Sequence, residues 1–216
     1  ENAKVSYAVL GTEESCSGDP AKRSGNEFLF QMQAINNIEV LNNYQVKKIV
    51  TTCPHCFNTL KNEYPDLGGT YEVMHHTEFI NNLLKEKRIT INGGGFKGKR
   101  ITYHASCYLG RANKIYEAPR ELIRELDLEL VEMKNSKSKG LCCGAGGAQM
   151  FKEPERGNKD INIQRTEEAL DTNSDIIAVA CPFCNIMISD GVKSKENDIK
   201  TKVADIAELI AKAEDF

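Results

Sequence analysis

Eight cysteines constrain this chain more than any other feature, because five fall into one spaced pattern and the other three into a partial copy of it. Cys107 is followed 35 residues later by the adjacent pair Cys142 and Cys143, and 38 residues beyond Cys143 comes Cys181-Pro182-Phe183-Cys184. Strand-like apolar runs lead into Cys107 and Cys181, so thiols at the ends of successive units converge on one place. Thiolate is the soft ligand that zinc and iron-sulfur clusters select. Two adjacent cysteines chelate one small ion poorly across a rigid trans peptide, and suit a group of several metals better. Gly144, Gly146 and Gly147 let the backbone that follows take positive φ and approach an inorganic core.

The copy is explicit. Cys53-Pro54-His55-Cys56 stands 128 residues before Cys181-Pro182-Phe183-Cys184, and Cys16-Ser17-Gly18 stands 126 before Cys142-Cys143-Gly144. Self-similarity at this period means two versions of one unit. Ser17 occupies the place of Cys143, and the offset puts the counterpart of Cys107 upstream of Glu1, so the chain is expected to begin inside the first version. The glycine run 93–95 is the most linker-like stretch. It divides an incomplete first repeat, 1–95, from a second, 96–216, that holds the complete motif.

Strands are expected over 5–10, 47–52, 71–75, 101–104, 128–133 and 175–180, where β-branched and apolar residues run together. Helices are expected over 25–43, with Phe28, Met32, Ile35, Ile38 and Leu41 on its apolar face, and over 57–64, 77–86, 119–126, 161–170 and 203–213. Thr77 is the expected N-cap of the third. This alternation predicts an α/β fold of two tandem repeats related by a pseudo-twofold, with parallel sheets and ligands at the carboxyl ends of the strands.

With 28 basic against 31 acidic side chains the chain is near neutral, which gives nucleic acid or an anionic membrane nothing to bind. No apolar run approaches the ~20 residues of a membrane span. A secreted disulfide framework is short and loop-rich, so reduced thiols on a metal in the cytoplasm fit this length better. Structural zinc is the first alternative, but it uses four cysteines and leaves the fifth unemployed. A redox dithiol at either CxxC is the second. The run Gly144 to Gly147 lacks the phosphate-loop pattern.

Among other side chains, His55 is expected beside the ligands rather than among them, since Phe183 holds its place in the other copy. His75, His76 and His104 end or follow strands near the site and are expected to be packed or at the surface. Of these, His104 is the best placed to tune it or deliver protons. Arg111 and Lys114 follow Cys107 and are candidates for offsetting cluster charge or receiving an anion.

The spacing of Cys107, Cys142-Cys143-Gly144 and Cys181-Pro182-Phe183-Cys184 resembles the cysteine-rich CCG domain, found twice in one of the polypeptides of heterodisulfide reductase. It is also similar to iron-sulfur subunits of glycolate oxidase, anaerobic glycerol-3-phosphate dehydrogenase and lactate-utilisation systems. The resemblance covers essentially the whole chain. It implies an iron-sulfur oxidoreductase component, with a 4Fe-4S cluster of non-cubane type carried by Cys107, Cys142, Cys143, Cys181 and Cys184. The first motif maps onto Cys16, Cys53 and Cys56, and Ser17 departs from it. Electrons would pass either to a substrate disulfide or from a flavin dehydrogenase partner to a carrier. The partners implied are flavin- or ferredoxin-type redox subunits or upstream domains of a longer chain, since no flavin, nicotinamide or ferredoxin motif occurs here. The alternative is a zinc-stabilised binding module without a redox role.

Overall fold

A computed structural model describes residues 3–91, 94–153, 157–196 and 200–213. In the first half, β1 (Lys48–Thr51) and β2 (Glu72–His75) pair in parallel, Lys48 opposite Glu72 and Thr51 opposite His75. Around them lie α1 (Asp19–Arg23), α2 (Glu27–Asn43), α3 (Pro54–Asn58) and α4 (His76–Lys85). In the second half, β3 (Arg100–Tyr103), β4 (Glu129–Leu130), β5 (Ile176–Val179) and β6 (Lys202–Asp205) form a parallel sheet in the order β4-β3-β5-β6. Its helices are α5 (Ala118–Arg124), α6 (Ile161–Leu170), α7 (Pro182–Ser194) and α8 (Ile206–Ala213). The α/β class and parallel sheets are as the sequence implied.

Strand β5 reads Ile-Ile-Ala-Val and is buried at every position, as a central parallel strand covered on both faces must be. Its core gathers Ile101, Tyr103, Leu122, Ile123, Leu126, Ile206 and Leu209, and Ile80 and Leu84 of α4 pack onto it from the first half. Polar bonds also cross between the halves: His76 Nε2 lies 3.1 Å from Asp205, and Asn81 donates to the Ala118 carbonyl at 2.9 Å.

Several expectations need correction. Residues 5–10 form no strand, and Tyr7 and Val9 are exposed. In the second sheet the corresponding strand, β4, pairs only with β3, and β3 has no counterpart among the described residues of the first half. A strand without that neighbour has no partner for its backbone bonds. The helix expected over 203–213 begins at Ile206, because Val203 and Ala204 pair with β5. Asp205 accepts from Ala207 N at 2.9 Å and Glu208 reaches back to Asp205 N at 3.1 Å, a capping box. On α4 the same device uses His75 and Glu78, so His75 and not Thr77 is the cap.

Helix α2 buries Phe30, Ala34, Asn37, Ile38 and Leu41, leaving Phe28, Met32 and Ile35 exposed. Phe30 is drawn in because Gly18, at φ 87°, has no Cβ to keep its ring away. The helix expected over 57–64 starts at Pro54 and passes at Thr59 into a π turn, then a 3₁₀ turn over Tyr64–Leu67. Of the glycine run, Gly93 lies outside the described residues.

Two tests follow. A Cβ on Gly191 of α7 would overlap Thr166 Oγ1 on α6, so Gly191→Ala should cost on the order of 1–3 kcal/mol in denaturant unfolding. His75 is fully buried, 2.8 Å from Thr77 Oγ1 and 3.3 Å from the Thr52 carbonyl. Burial first, and then His76, pushes its pKa down to about 3. A depressed folded pKa gives stability that is whole above ~6.5 and is lost as pH falls toward 3, because only the unfolded chain takes up the proton. Unfolding stability should therefore drop between pH 7 and pH 5, by about 2 kcal/mol for this residue. His75→Gln should flatten the slope.

Candidate metal centre

The cysteines sit where strands end and helices begin. Cys53 ends the approach from β1 and caps α3, with Pro54 at its first position, and Cys181 does the same between β5 and α7 with Pro182. Cys56 and Cys184 follow in the first turns. Cys107 precedes a π-helical turn over Tyr108–Ala112. Cys142 and Cys143 lie in a loop that turns at Gly144, whose φ is 94° and whose N–H donates to Cys142 Sγ at 3.3 Å. Gly18 N–H lies 3.5 Å from Cys16 Sγ, the same turn in the first half.

These positions bring seven of the eight sulfurs into a continuous string. Cys107 neighbours Cys142, Cys142 neighbours Cys143, Cys143 neighbours Cys184, and Cys184 neighbours Cys181 closely enough for each thiol to shift the next. The string then crosses to the first half, from Cys181 to Cys53 and on to Cys56. Ser17 Oγ ends it, 3.3 Å from Cys56 Sγ. Cys16 stands outside, exposed. All eight are free thiols.

Two sulfurs of the string, Cys142 and Cys181, are set apart from the rest by their lowered pKa. Cys142 is held far below the ordinary thiol range by hydrogen bonds from Cys107 and Cys143, then by the Gly144 and Gly146 amides. Cys181 is lowered by Cys184 and Cys53, then by the amides of Cys184 and Phe183 at the start of α7. Their neighbours are raised. Cys143 rises to about 12 through its bond to Cys142, and Cys53 to about 12 through its bond to Cys181. Cys107, Cys184 and Cys56 also rise. The two sulfurs most favoured as thiolates, Cys142 and Cys181, are thus each flanked by thiols, an arrangement from which metals displace the remaining protons.

The donor set fits a group of several metals better than one ion. Among the described residues, the one metal-sized group of ligand atoms is a His104 ring nitrogen with the sulfurs of Cys143 and Cys184, all within 4.8 Å of one another. No four thiols among the described residues close around a single point as structural zinc requires.

A profile of the cysteine-rich domain (CCG) matches residues 1–61 and 101–189. The chain belongs to the CCG family. It is 46% identical over 98% of its length to the EtfAB:quinone oxidoreductase of Syntrophomonas wolfei, and 46% identical over 98% to the probable iron-sulfur-binding oxidoreductase FadF of Bacillus subtilis. It is 36% identical over 97% to one of the polypeptides of the dihydromethanophenazine:CoB–CoM heterodisulfide reductase of Methanosarcina barkeri. The chain spans 30% of the length of the first two and 52% of the third. The redox role expected from the cysteine pattern is carried in the names of all three CCG relatives, and iron-sulfur binding in that of the Bacillus subtilis protein. No helix among the described residues is long and apolar enough to cross a membrane.

Around this CCG site the other predicted residues divide. His55 is buried, 2.8 Å from Asp19 Oδ2, stacked on Tyr108 at 4.1 Å and edge-on to Phe183 at 5.1 Å. It packs between the two CxxC turns rather than joining the sulfurs. His75 and His76 serve the cap and the Asp205 contact. Arg111 lies beside the Cys107 sulfur and favours its thiolate, whereas Lys114 turns away to the Arg111 carbonyl at 3.0 Å. His104 lies against Cys143 and Cys184. Sequence reasoning missed Asp19, Tyr108 and Arg165. Arg165 is fully buried and donates to His104 Nδ1 at 2.9 Å. Its only signal is that it recurs with Ile161 and Ala169 at helical spacing.

In reduced, metal-free protein at pH 6–7, iodoacetamide should label the half-exposed Cys142 about tenfold faster than Cys107, with Cys143 and Cys184 slowest. Peptide mass spectrometry over time reads this order.

Proposed function

We propose that this CCG chain is the cluster-bearing part of an iron-sulfur oxidoreductase, built from two repeats, 1–95 and 96–216. Cys107, Cys142, Cys143, Cys181 and Cys184 are the thiolates that would hold a 4Fe-4S cluster. The observation that carries this reading is the run of neighbouring sulfurs from Cys107 to Cys181, in which no four thiols among the described residues close around one point. When bound, such a cluster accepts and releases single electrons. The chain's own residues would hold it at two strand ends, with the Gly144 and Gly146 amides directed at Cys142 and Arg111 beside Cys107.

The first-half cysteines supply the other end of the string, with the Ser17 hydroxyl in place of a fifth thiol. Two relatives at 46% identity, one named for quinone, favour electron passage from a flavin-type partner toward a quinone-type carrier over disulfide reduction, which the name of the 36% relative carries. Ferredoxin-like or flavin-type partners, as separate subunits or as further domains, would feed the site on the cytoplasmic side.

Protein purified without oxygen should contain about four irons and four acid-labile sulfides per chain, with visible absorption that bleaches on reduction. About eight would assign a second cluster to Cys16, Cys53 and Cys56 with a donor beyond them. Cys142→Ser and Cys143→Ser should each lose most of the iron. Stoichiometric zinc with no iron and no colour would overturn the reading in favour of a zinc-stabilised module.

A further inference from the structure

The corner formed by Cys143 and Cys184 is walled by two polar side chains with almost no exposure, His104 at 1% and Arg165 at 0%. Arg165 Nη1 donates to Glu168 at 2.6 Å and to the Asn135 carbonyl at 3.0 Å, and Nε donates to His104 Nδ1 at 2.9 Å. That leaves Arg165 Nη2 and His104 Nε2 buried without partners.

Proximity alone makes His104, Cys143 and Cys184 a metal triad. The arginine decides against it. A guanidinium N–H can only donate, so Nδ1 commits its lone pair to Arg165, and a neutral imidazole must then carry its proton on Nε2. Neither nitrogen keeps a lone pair for a metal. Metal-ligating histidines show the reverse arrangement, their second nitrogen donating to a carboxylate or carbonyl. What stands beside the thiols is instead a pair of N–H donors with no acceptor among the described residues. A buried unmade hydrogen bond costs about 1–3 kcal/mol, so two at one corner point to an acceptor that arrives with the metal group. Cys143 and Cys184 already act on the Arg165 charge, so a negatively charged sulfur there is the fitting partner.

We propose that His104 is a fixed-tautomer N–H donor to metal-bound sulfur at the Cys143–Cys184 corner and is not a ligand, and that Arg165 is the positioning residue that holds the tautomer and offsets the sulfur charge. This rests on the cluster reading above, and its first test is independent of it. In metal-free protein with ¹⁵N-labelled histidine, long-range ¹H–¹⁵N spectra at pH 7 should show His104 wholly as the Nε2–H tautomer. A ring protonated on Nδ1 overturns the proposal whether or not any cluster forms. Arg165→Gln, whose amide accepts as well as donates, should admit both tautomers, and an unchanged ring would remove Arg165 from the role.

With Zn²⁺ bound as a probe, X-ray absorption should show sulfur scattering with no shell that His104→Gln abolishes. Such a shell would make His104 a ligand and overturn the proposal. In cluster-loaded protein, His104→Phe should lower the midpoint potential through loss of a donor to sulfur. His104→Gln, which keeps an N–H, should stay near the parent value. Equal potentials in all three proteins would overturn it.

Discussion

The meeting of the two CxxC turns, where His55 packs on Phe183 and Cys53 neighbours Cys181, is the constraint on which the rest of the arrangement depends. Each sulfur stands at the carboxyl end of a parallel strand and at the start of a helix, so the two halves can meet there only with their strand ends facing. His55 and Phe183, the middle residues of the two CxxC turns, meet at the same point, and Tyr108 closes over His55. Asp19 completes the junction. Burial works against its charge, but the bonds from His55 and Arg23 prevail and keep its carboxyl below the usual range. The Asp19–His55–Tyr108 stack therefore fixes the angle at which the first half presents Cys53 and Cys56.

Holding negative sulfur in a buried place is the cost of this design, and the chain offsets it with fixed dipoles more than with ion pairs. Cys181 meets the N-terminal amides of α7, and Cys142 meets the amides of the Gly144 turn. Both are backbone groups set by local conformation, and neither needs reorganisation when charge changes. Gly144 matters here because its left-handed φ aims the N–H at Cys142, a conformation that a residue with a Cβ rarely holds. Gly18 makes the same turn at Cys16, so the device belongs to the repeat and not to one site.

What the sequence made legible was periodic or covalent in origin. The cysteine spacings and the apolar strands that lead into the two CxxC turns are local signals, and the structure places them as expected, whereas α7 is not among the expected helices and α3 starts at Pro54 rather than at Phe57. Helix 161–170 was legible to the residue. What was not legible depended on neighbours far along the chain. Residues 5–10 carry the pattern of a strand, but strand formation needs a pairing edge that no local pattern records. The buried face of α2 takes in Phe30, which lies over Gly18, and leaves Phe28 exposed, a choice the helical spacing does not record. That the two cysteine sets share one string could not be read from spacing, since an offset of 128 residues gives no distance. Arg165 was hidden for the opposite reason: on a helix rich in Gln and Glu, an arginine reads as solvated surface.

The two halves differ in charge in a way that bears on which of them is built around a metal group. The offset that relates the CxxC pairs, 128 residues, carries Arg165 onto Asn37. Asn37 is buried too, but its amide is fully employed inside the first half, donating to the Cys16 carbonyl and Tyr64 Oη and accepting from Ser15. A neutral amide with all its bonds made asks for nothing further. A guanidinium with one nitrogen unbonded, next to two thiols, does. The same contrast runs through the third ligand position, where Ser17 offers a neutral hydroxyl and Cys143 an ionisable thiol. Each substitution on the first side removes one charge of either sign, leaving a balanced and self-satisfied wall. On the second side the charges are retained together, and only an anionic group of several thiolates makes both Arg165 and the five-cysteine set worth the desolvation they incur.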